Sequence, residues 1–273
     1  MHLDCHADQW LGLRENQEDC VLVETLIGKT GNPRYLLLVA DGMGGHAAGE
    51  VASRLVVDDM LKSVKSANRD ANIEPVLRKA LQDANDILAA AIEENIDYSG
   101  MGTTLVAVVV DDKNVCWISV GDSLFYLVRD GQIRRLNEDH SMAGLVDQMA
   151  AAGKISQEEA ASSSDRHVLR SVICGEDIPL IDVGFLEGGL QSGDRLIVAS
   201  DGIETLDEKQ ITALSIASAG REASFLTQAI LSSVKEVERR HQDNVSLIVG
   251  VFEDEMSKQG NWFSRLWSAI SKR

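Results

Sequence analysis

Three aspartates stand just past the end of a short apolar run: Leu36-Leu37-Leu38-Val39-Ala40-Asp41-Gly42, Trp117-Ile118-Ser119-Val120-Gly121-Asp122 and Leu196-Ile197-Val198-Ala199-Ser200-Asp201-Gly202. Asp243 stands just before a further run, residues 245–251, and the pair Glu18-Asp19 just before Val21-Leu22-Val23. A single Asp-Gly is most often a plain turn. Five acidic positions at the ends of core strands mean more if those ends converge. Crowded carboxylates repel one another, and the arrangement asks for hard divalent cations such as Mn²⁺ or Mg²⁺. Two such ions side by side can hold a deprotonated water and clamp a phosphoryl group. Arg14, five residues before Asp19, adds a planar guanidinium suited to bidentate capture of phosphate.

Other chemistries fit less well. Gly42-Met43-Gly44-Gly45-His46-Ala47 matches the dinucleotide pattern G-x-G-x-x-A between a strand and a helix. Asp41 would press a negative charge towards the pyrophosphate, and some twenty residues on Leu61-Lys62-Ser63-Val64-Lys65 is still helical, with no strand-end acid for a ribose. The sequence has no G-x-S-x-G elbow, no cysteine followed six residues later by arginine, and no G-x-x-x-x-G-K-[ST]. Its four cysteines (Cys5, Cys20, Cys116 and Cys174) form no CxxC pair, which reads as buried thiols in a reducing compartment.

Elements that could position the acids follow from hydrophobic spacing. Ile73, Val76, Leu77, Ala80, Leu81, Ala84, Ile87, Leu88, Ala91 and Ile92 form a helical stripe; Phe225, Leu226, Ala229, Ile230, Val234 and Val237 form another. Residues 47–64 make a third helix. Strands are expected at 35–40, 103–110, 115–120, 124–128, 195–199 and 245–251. The turns 111–114 and Asp130-Gly131 link three of them in a meander. Hairpins beside blocks of helix favour an α+β fold over a doubly wound parallel sheet.

With 273 residues, 44% hydrophobic and 25% charged, the chain can bury a core without staples. Its 43 Asp and Glu against 26 Lys and Arg give a formal net charge of −17, which argues against nucleic-acid binding. No apolar run approaches the roughly 18 residues of a membrane span. The first ten residues have no secretory character, and the expectation is a cytoplasmic protein.

Seven motifs occur in order: Arg14-x-x-Gln17-Glu18-Asp19, Val39-Ala40-Asp41-Gly42-Met43-Gly44-Gly45-His46, Gly100-Met101-Gly102-Thr103-Thr104, Val120-Gly121-Asp122-Ser123, Asp139-His140-Ser141, Ser200-Asp201-Gly202 and Asp243-Asn244-Val245. Together they resemble the bacterial branch of the metal-dependent Ser/Thr protein phosphatases, the protein phosphatase 2C family. The resemblance spans residues 3 to 252 and implies a four-layer α-β-β-α sandwich of two antiparallel sheets flanked by helices. It further implies that Asp41 bridges two core Mn²⁺ or Mg²⁺ ions, with the Gly42 carbonyl on one and Asp201 and Asp243 on the other. Glu18 or Asp19 would hold metal-bound water, Asp122 with Asp201 would form a weaker third site, and Arg14 would bind the substrate phosphate. The reaction implied is one-step hydrolysis of phosphoserine or phosphothreonine by a metal-bridging hydroxide, opposing a Ser/Thr kinase. Two alternatives are a catalytically weak regulatory or binding module on the same fold, and a phosphatase of small phosphoesters.

Some positions depart from the family pattern. Gln17 stands where asparagine is usual, and Leu124 where arginine is common. Many animal members carry a histidine, the proposed general acid, directly after the Asp-Gly of this loop; here that place is Met43, and His46 is the nearby candidate. The catalytic domain is expected over 1–253, with a flap from about 140 to 175 that includes helical 142–152. In the tail, 254–273, Trp262, Phe263, Leu266, Trp267 and Ile270 share one helical face flanked by Arg265, Lys272 and Arg273. It is a contact for its own domain, a protein partner or a membrane surface.

Overall fold

The computed structural model describes residues 2–45 and 48–253. The chain opens with strands β1 (His2–Trp10), β2 (Asp19–Ile27) and β3 (Pro33–Met43), then helices α1 (Ala48–Ser66) and α2 (Ile73–Glu94). Strands β4 (Gly102–Thr103), β5 (Leu105–Asp111), β6 (Asn114–Val120), β7 (Leu124–Arg129) and β8 (Gln132–Arg135) follow. Helices α3 (Ala143–Ala151) and α4 (Gln157–Ser162) precede β9 (Asp182–Phe185) and β10 (Arg195–Ala199). Helices α5 (Glu208–Ala217) and α6 (Ala223–Val237) lead into β11 (Val245–Glu253).

Two antiparallel sheets result, one in the order β1-β11-β10-β7-β8 and the other β2-β3-β5-β6-β9, with β4 paired to β3. Side chains alternate along each strand, so Leu37, Val39, Val106 and Val108 meet Phe125, Leu127, Leu196, Val198 and Ile248 between the sheets. The rings of Trp117 and Phe125, one from each sheet, meet edge to face at 5.5 Å. Their neighbours Leu36, Leu38, Ala107, Val109 and Ile118 point outward under α1 and α2. On the far side Leu124, Ile197, Leu247 and Val249 lie under Ile211 of α5 and Leu226, Ile230 and Val234 of α6. The order is helix, sheet, sheet, helix. Burial on both faces explains why β3, β5, β6, β10 and β11 read as unbroken apolar runs, each buried Leu, Ile or Val adding about 2 kcal/mol.

Two sequence expectations need correction. The three-strand meander does not form: β5–β6 and β7–β8 are hairpins, but the chain changes sheet between Val120 and Leu124. Both hairpin turns lie where expected, with Asp112 at φ +55° and Asp130-Gly131 at +52° and +73°, the twist two-residue hairpins favour. The expected strand 103–110 also breaks at Thr104, because its front piece pairs with the end of β3 beyond the main sheet.

The register brings the acidic strand ends together. Asp19 faces Asp41 across β2 and β3, Ala199 faces both Leu247 and Leu124, and Leu105 faces Val120. Thus the ends of β3, β6 and β10 and the starts of β2, β7 and β11 share one edge of the sandwich.

Candidate active site

At that edge lies a cavity of about 520 Å³. Asp41, Asp122, Asp201 and Asp243 line it, with Gly42, Glu18 and Arg14. Asp19 sits behind, 6% exposed, its Oδ2 accepting a hydrogen bond from the Ser200 hydroxyl at 2.8 Å. The pair left open by sequence therefore divides: Glu18 borders the cavity, and Asp19 belongs to its floor. His46 lies outside the described residues.

Each acid is held by its own strand neighbours. The Asp41 amide donates to Thr104 Oγ1 at 3.0 Å, while its carbonyl accepts from the Thr104 amide and the Thr103 hydroxyl at 2.9 Å. That is what the Gly-Thr-Thr motif does. Thr104 also shares a proton with Ser123 at 2.8 Å, tying the Asp41 strand to the loop of Asp122. From β8, Arg135 donates to the carbonyls of Asp122 and Ser123 at 2.8 and 3.3 Å. Leu124 meanwhile faces the helices, buried. Asn244 clamps the loop bearing Arg14: its Nδ2 donates to the carbonyls of Leu11 and Asn16, and its Oδ1 accepts from the Glu18 amide at 2.8 Å. Gln17 Oε1 accepts from the Asp19 amide at 3.1 Å, so the residue that departs from the pattern still braces the loop.

Burial and mutual repulsion dominate the electrostatics. The Asp41 carboxyl is raised well above its ordinary range by burial, then by Asp19, Asp201, Asp122 and Asp243. Asp19 is pushed up to about 7 by burial, although hydrogen bonds from Ser246 and Ser200 oppose the shift. Asp122 also rises to about 7, through burial and the charges of Asp201 and Asp139. Asp201 is raised by burial and Asp243, and a hydrogen bond with Asp41 pulls it back. Arg14, 56% exposed, makes a 2.5 Å ion pair with Asp243 on the rim.

Among the described residues no three acidic, histidine or cysteine side chains close into a finished metal cage as they stand. The donor set nevertheless fits hard cations. All the donors are oxygens, and Asp19 Oδ1 is buried with no hydrogen-bond partner. Burial and mutual repulsion raise the Asp41, Asp19, Asp122 and Asp201 carboxyls, a penalty that a bound cation would relieve.

The segment 140–175 borders one side of the cavity. It starts at His140, whose amide donates to the Gly121 carbonyl at 3.0 Å and whose Nδ1 accepts from the Gly121 amide at 3.2 Å. Burial lowers the His140 pKa. Ile173 pairs with Thr103 at the other end, and Val146, Ala150 and Ala160 form a small cluster within the segment. The expected helix 142–152 is α3. His167, Leu169 and Val172 from this segment line the cavity. His167 was not singled out in the sequence, because it belongs to none of the seven motifs.

An antiparallel sandwich with hard-oxygen donors gathered at one edge and an arginine on the rim is the architecture of a metal-dependent phosphatase. The chain belongs to the protein phosphatase 2C family, whose sequence profile matches residues 18–244. It is 33% identical over 209 residues to the serine/threonine phosphatase stp of Listeria monocytogenes, covering 76% of this chain and 79% of that protein. Among solved structures it resembles serine/threonine phosphatase Stp1 from Staphylococcus aureus, with a TM-score of 0.78 at 28% identity over 93% of this chain and 96% of that one. The catalytic domain of the phosphatase PstP, solved in complex with two manganese ions, superposes with a TM-score of 0.73 at 30% identity, covering 92% and 99%.

Proposed function

We propose that the chain hydrolyses phosphoserine and phosphothreonine on proteins at a two-cation Mn²⁺ or Mg²⁺ centre, opposing a Ser/Thr kinase in the cytoplasm. The observation that carries this reading is the convergence of Asp41, Asp122, Asp201 and Asp243 with Arg14 on one cavity. Asp41, with carboxyls on several sides, would be shared by two cations. The Gly42 carbonyl would serve one of them and Asp201 and Asp243 the other. Glu18 or Asp19 would hold water beside them, and Asp122 with Asp201 would take a weaker third cation. Bound there, the cations supply Lewis-acid polarisation of the phosphoryl oxygens and a water acidic enough to act as nucleophile at neutral pH.

The chain's own groups do the rest. Arg14 exchanges its pairing with Asp243 for the substrate phosphate, whose two oxygens match its fork. Asn244 and Thr104 fix the backbone from which Glu18 and Asp41 project. The flap walls the cavity opposite β3, which leaves room for a side chain carrying phosphate and excludes bulk water from part of the site. Residues 1–253 form the catalytic unit, with 140–175 as its flap, and the tail serves as a contact segment for its own domain, a protein partner or a membrane surface. Among the described residues no helix is long and apolar enough to cross a membrane. The deciding experiment is release of phosphate from a phosphothreonine peptide with and without Mn²⁺. Turnover that survives excess chelator overturns the reading.

A further inference from the structure

One protonatable group on the cavity wall has no part in the reading above. His167 ends the 3₁₀ turn Ser164–His167 and lines the cavity with Asp41, Asp122 and Asp201. Asp201 and Glu204 lie within electrostatic reach of it. The turn that carries it is fastened on either side. Ser163 Oγ accepts from the Asp165 amide at 3.3 Å, and Arg166 pairs with Asp147 of α3 at 2.5 and 3.2 Å. The Val168 carbonyl accepts from the Met142 amide at 2.9 Å, and the Arg170 amide donates to the His140 carbonyl at 2.7 Å. The imidazole is therefore presented from a braced support.

Among the described residues the rest of the lining offers little to a leaving group. The carboxyls are ligands once cations are bound, Thr104 and Asn244 spend their polar atoms on the backbone, and Met43 has no donor. Arg14 is the natural partner of the non-bridging phosphate oxygens. An ester of serine or threonine leaves as an alkoxide, a strong base that needs a proton as the bond to phosphorus breaks. Imidazole is the side chain whose ordinary titration spans neutral pH.

We propose that His167 is the catalytic acid for the leaving alcohol, an inference that rests on the phosphatase reading above. Water bonds to phosphorus as the bond between phosphorus and the ester oxygen breaks. The electron pair of the broken bond stays on that oxygen, which takes the ring proton of His167 and departs as the alcohol. The neutral imidazole regains a proton from solvent, and the phosphate keeps the water oxygen while one of that water's protons is released to solvent. The charges nearest the ring in effect are Asp201 and Glu204 from the turn after β10, while Asp41 from β3 and Asp122 from the loop between the sheets line the same cavity and the neighbouring Arg166 is paired with Asp147.

The test compares a phosphothreonine peptide with p-nitrophenyl phosphate, whose leaving group needs little protonation, on the full chain with Mn²⁺. His167→Ala is expected to lower kcat on the peptide about 100-fold and on the aryl ester by far less. His167→Gln, which keeps an N–H donor but no transferable proton, stays as slow on the peptide. Mn²⁺ titration calorimetry of both variants should match the parent, showing that fold and ligands are intact. Equal losses on the two substrates, or recovery of peptide turnover by glutamine, overturn the assignment of His167 alone. A parent protein inactive on both substrates counts against the phosphatase reading itself.

Discussion

Asp41 is hemmed in by carboxyls, with Asp19 opposite it across the strand pair and Asp201, Asp122 and Asp243 close by. The cation on its own strand, Arg34, is paired with Asp111 at the far end, and Arg14 at the cavity is tied to Asp243. Asp41→Asn keeps the shape, so the variant should fold while losing the first-bound cation, with kcat falling about 100-fold or more. It should also melt higher than the parent when both are metal-free at pH 8, because one repelling charge has gone; a lower melting temperature would contradict this account of the cluster. Asp122 is argued differently. Its carboxyl, on the loop between the sheets, is raised by burial and then by Asp201 and Asp139. Asp122→Ala is therefore expected to leave two cations bound by calorimetry while slowing phosphopeptide hydrolysis. Loss of both, or kinetics equal to the parent, would place Asp122 elsewhere.

At the scale of elements, the join between β3 and α1 sets the depth of the cavity. A Cβ on Gly42 would come within 2.1 Å of the Gly49 carbonyl oxygen and 2.5 Å of that of Glu18, so the strand end and the first turn of the helix touch backbone to backbone. Gly42→Ala must push α1 off β3. It should cost about 1–3 kcal/mol in urea unfolding and weaken Mn²⁺ binding together, since Glu18 and Asp41 ride on the same contact. The parts legible beforehand were those with a strong local signal. Strands buried on both faces gave unbroken runs of Leu, Val and Ile, and each acid declared itself as the residue at the end of one. β1 was not anticipated because His2, Asp4, His6 and Asp8 alternate with Leu3, Cys5 and Ala7 on an edge strand, and its pairing depends on a partner more than two hundred residues away. The short strands β8 and β9 and the helix α4 carry too few apolar residues to set a period, and in α5 the spacing misleads, since Ser215 is buried and Ile216 exposed. His167 and Arg135 took their places only through tertiary packing, which no spacing along the chain encodes.

For the molecule as a whole, proton and cation binding are linked. Asp19 and Asp122, at about 7 when folded, are near 4 in an unfolded chain, so the folded metal-free protein binds more protons between those values. Its stability from these groups is full below pH 4 and is lost as pH rises to about 7. Cations replace those protons, and the rise in Tm on adding Mg²⁺ should be larger at pH 8 than at pH 5.5. An equal or smaller rise at pH 8 would mean that the cations bind elsewhere. The tail lies outside the described residues, and none of the seven motifs falls in it. Truncation after Glu253 is expected to leave turnover of p-nitrophenyl phosphate intact, and a folded but inactive product would make the tail part of the catalytic unit.

β11 enters its sheet between β1 and β10, with Asp243 just ahead of it. During synthesis at about 5–20 residues per second, β1 waits tens of seconds before its one strand partner leaves the ribosome. The cavity cannot assemble in that interval, because Asp243 and Asn244 have not been made. An unfinished chain thus has no means of removing phosphate from neighbouring proteins. β11, the last strand among the described residues, serves as a built-in delay, withholding the cavity until Asp243 and Asn244 have been made.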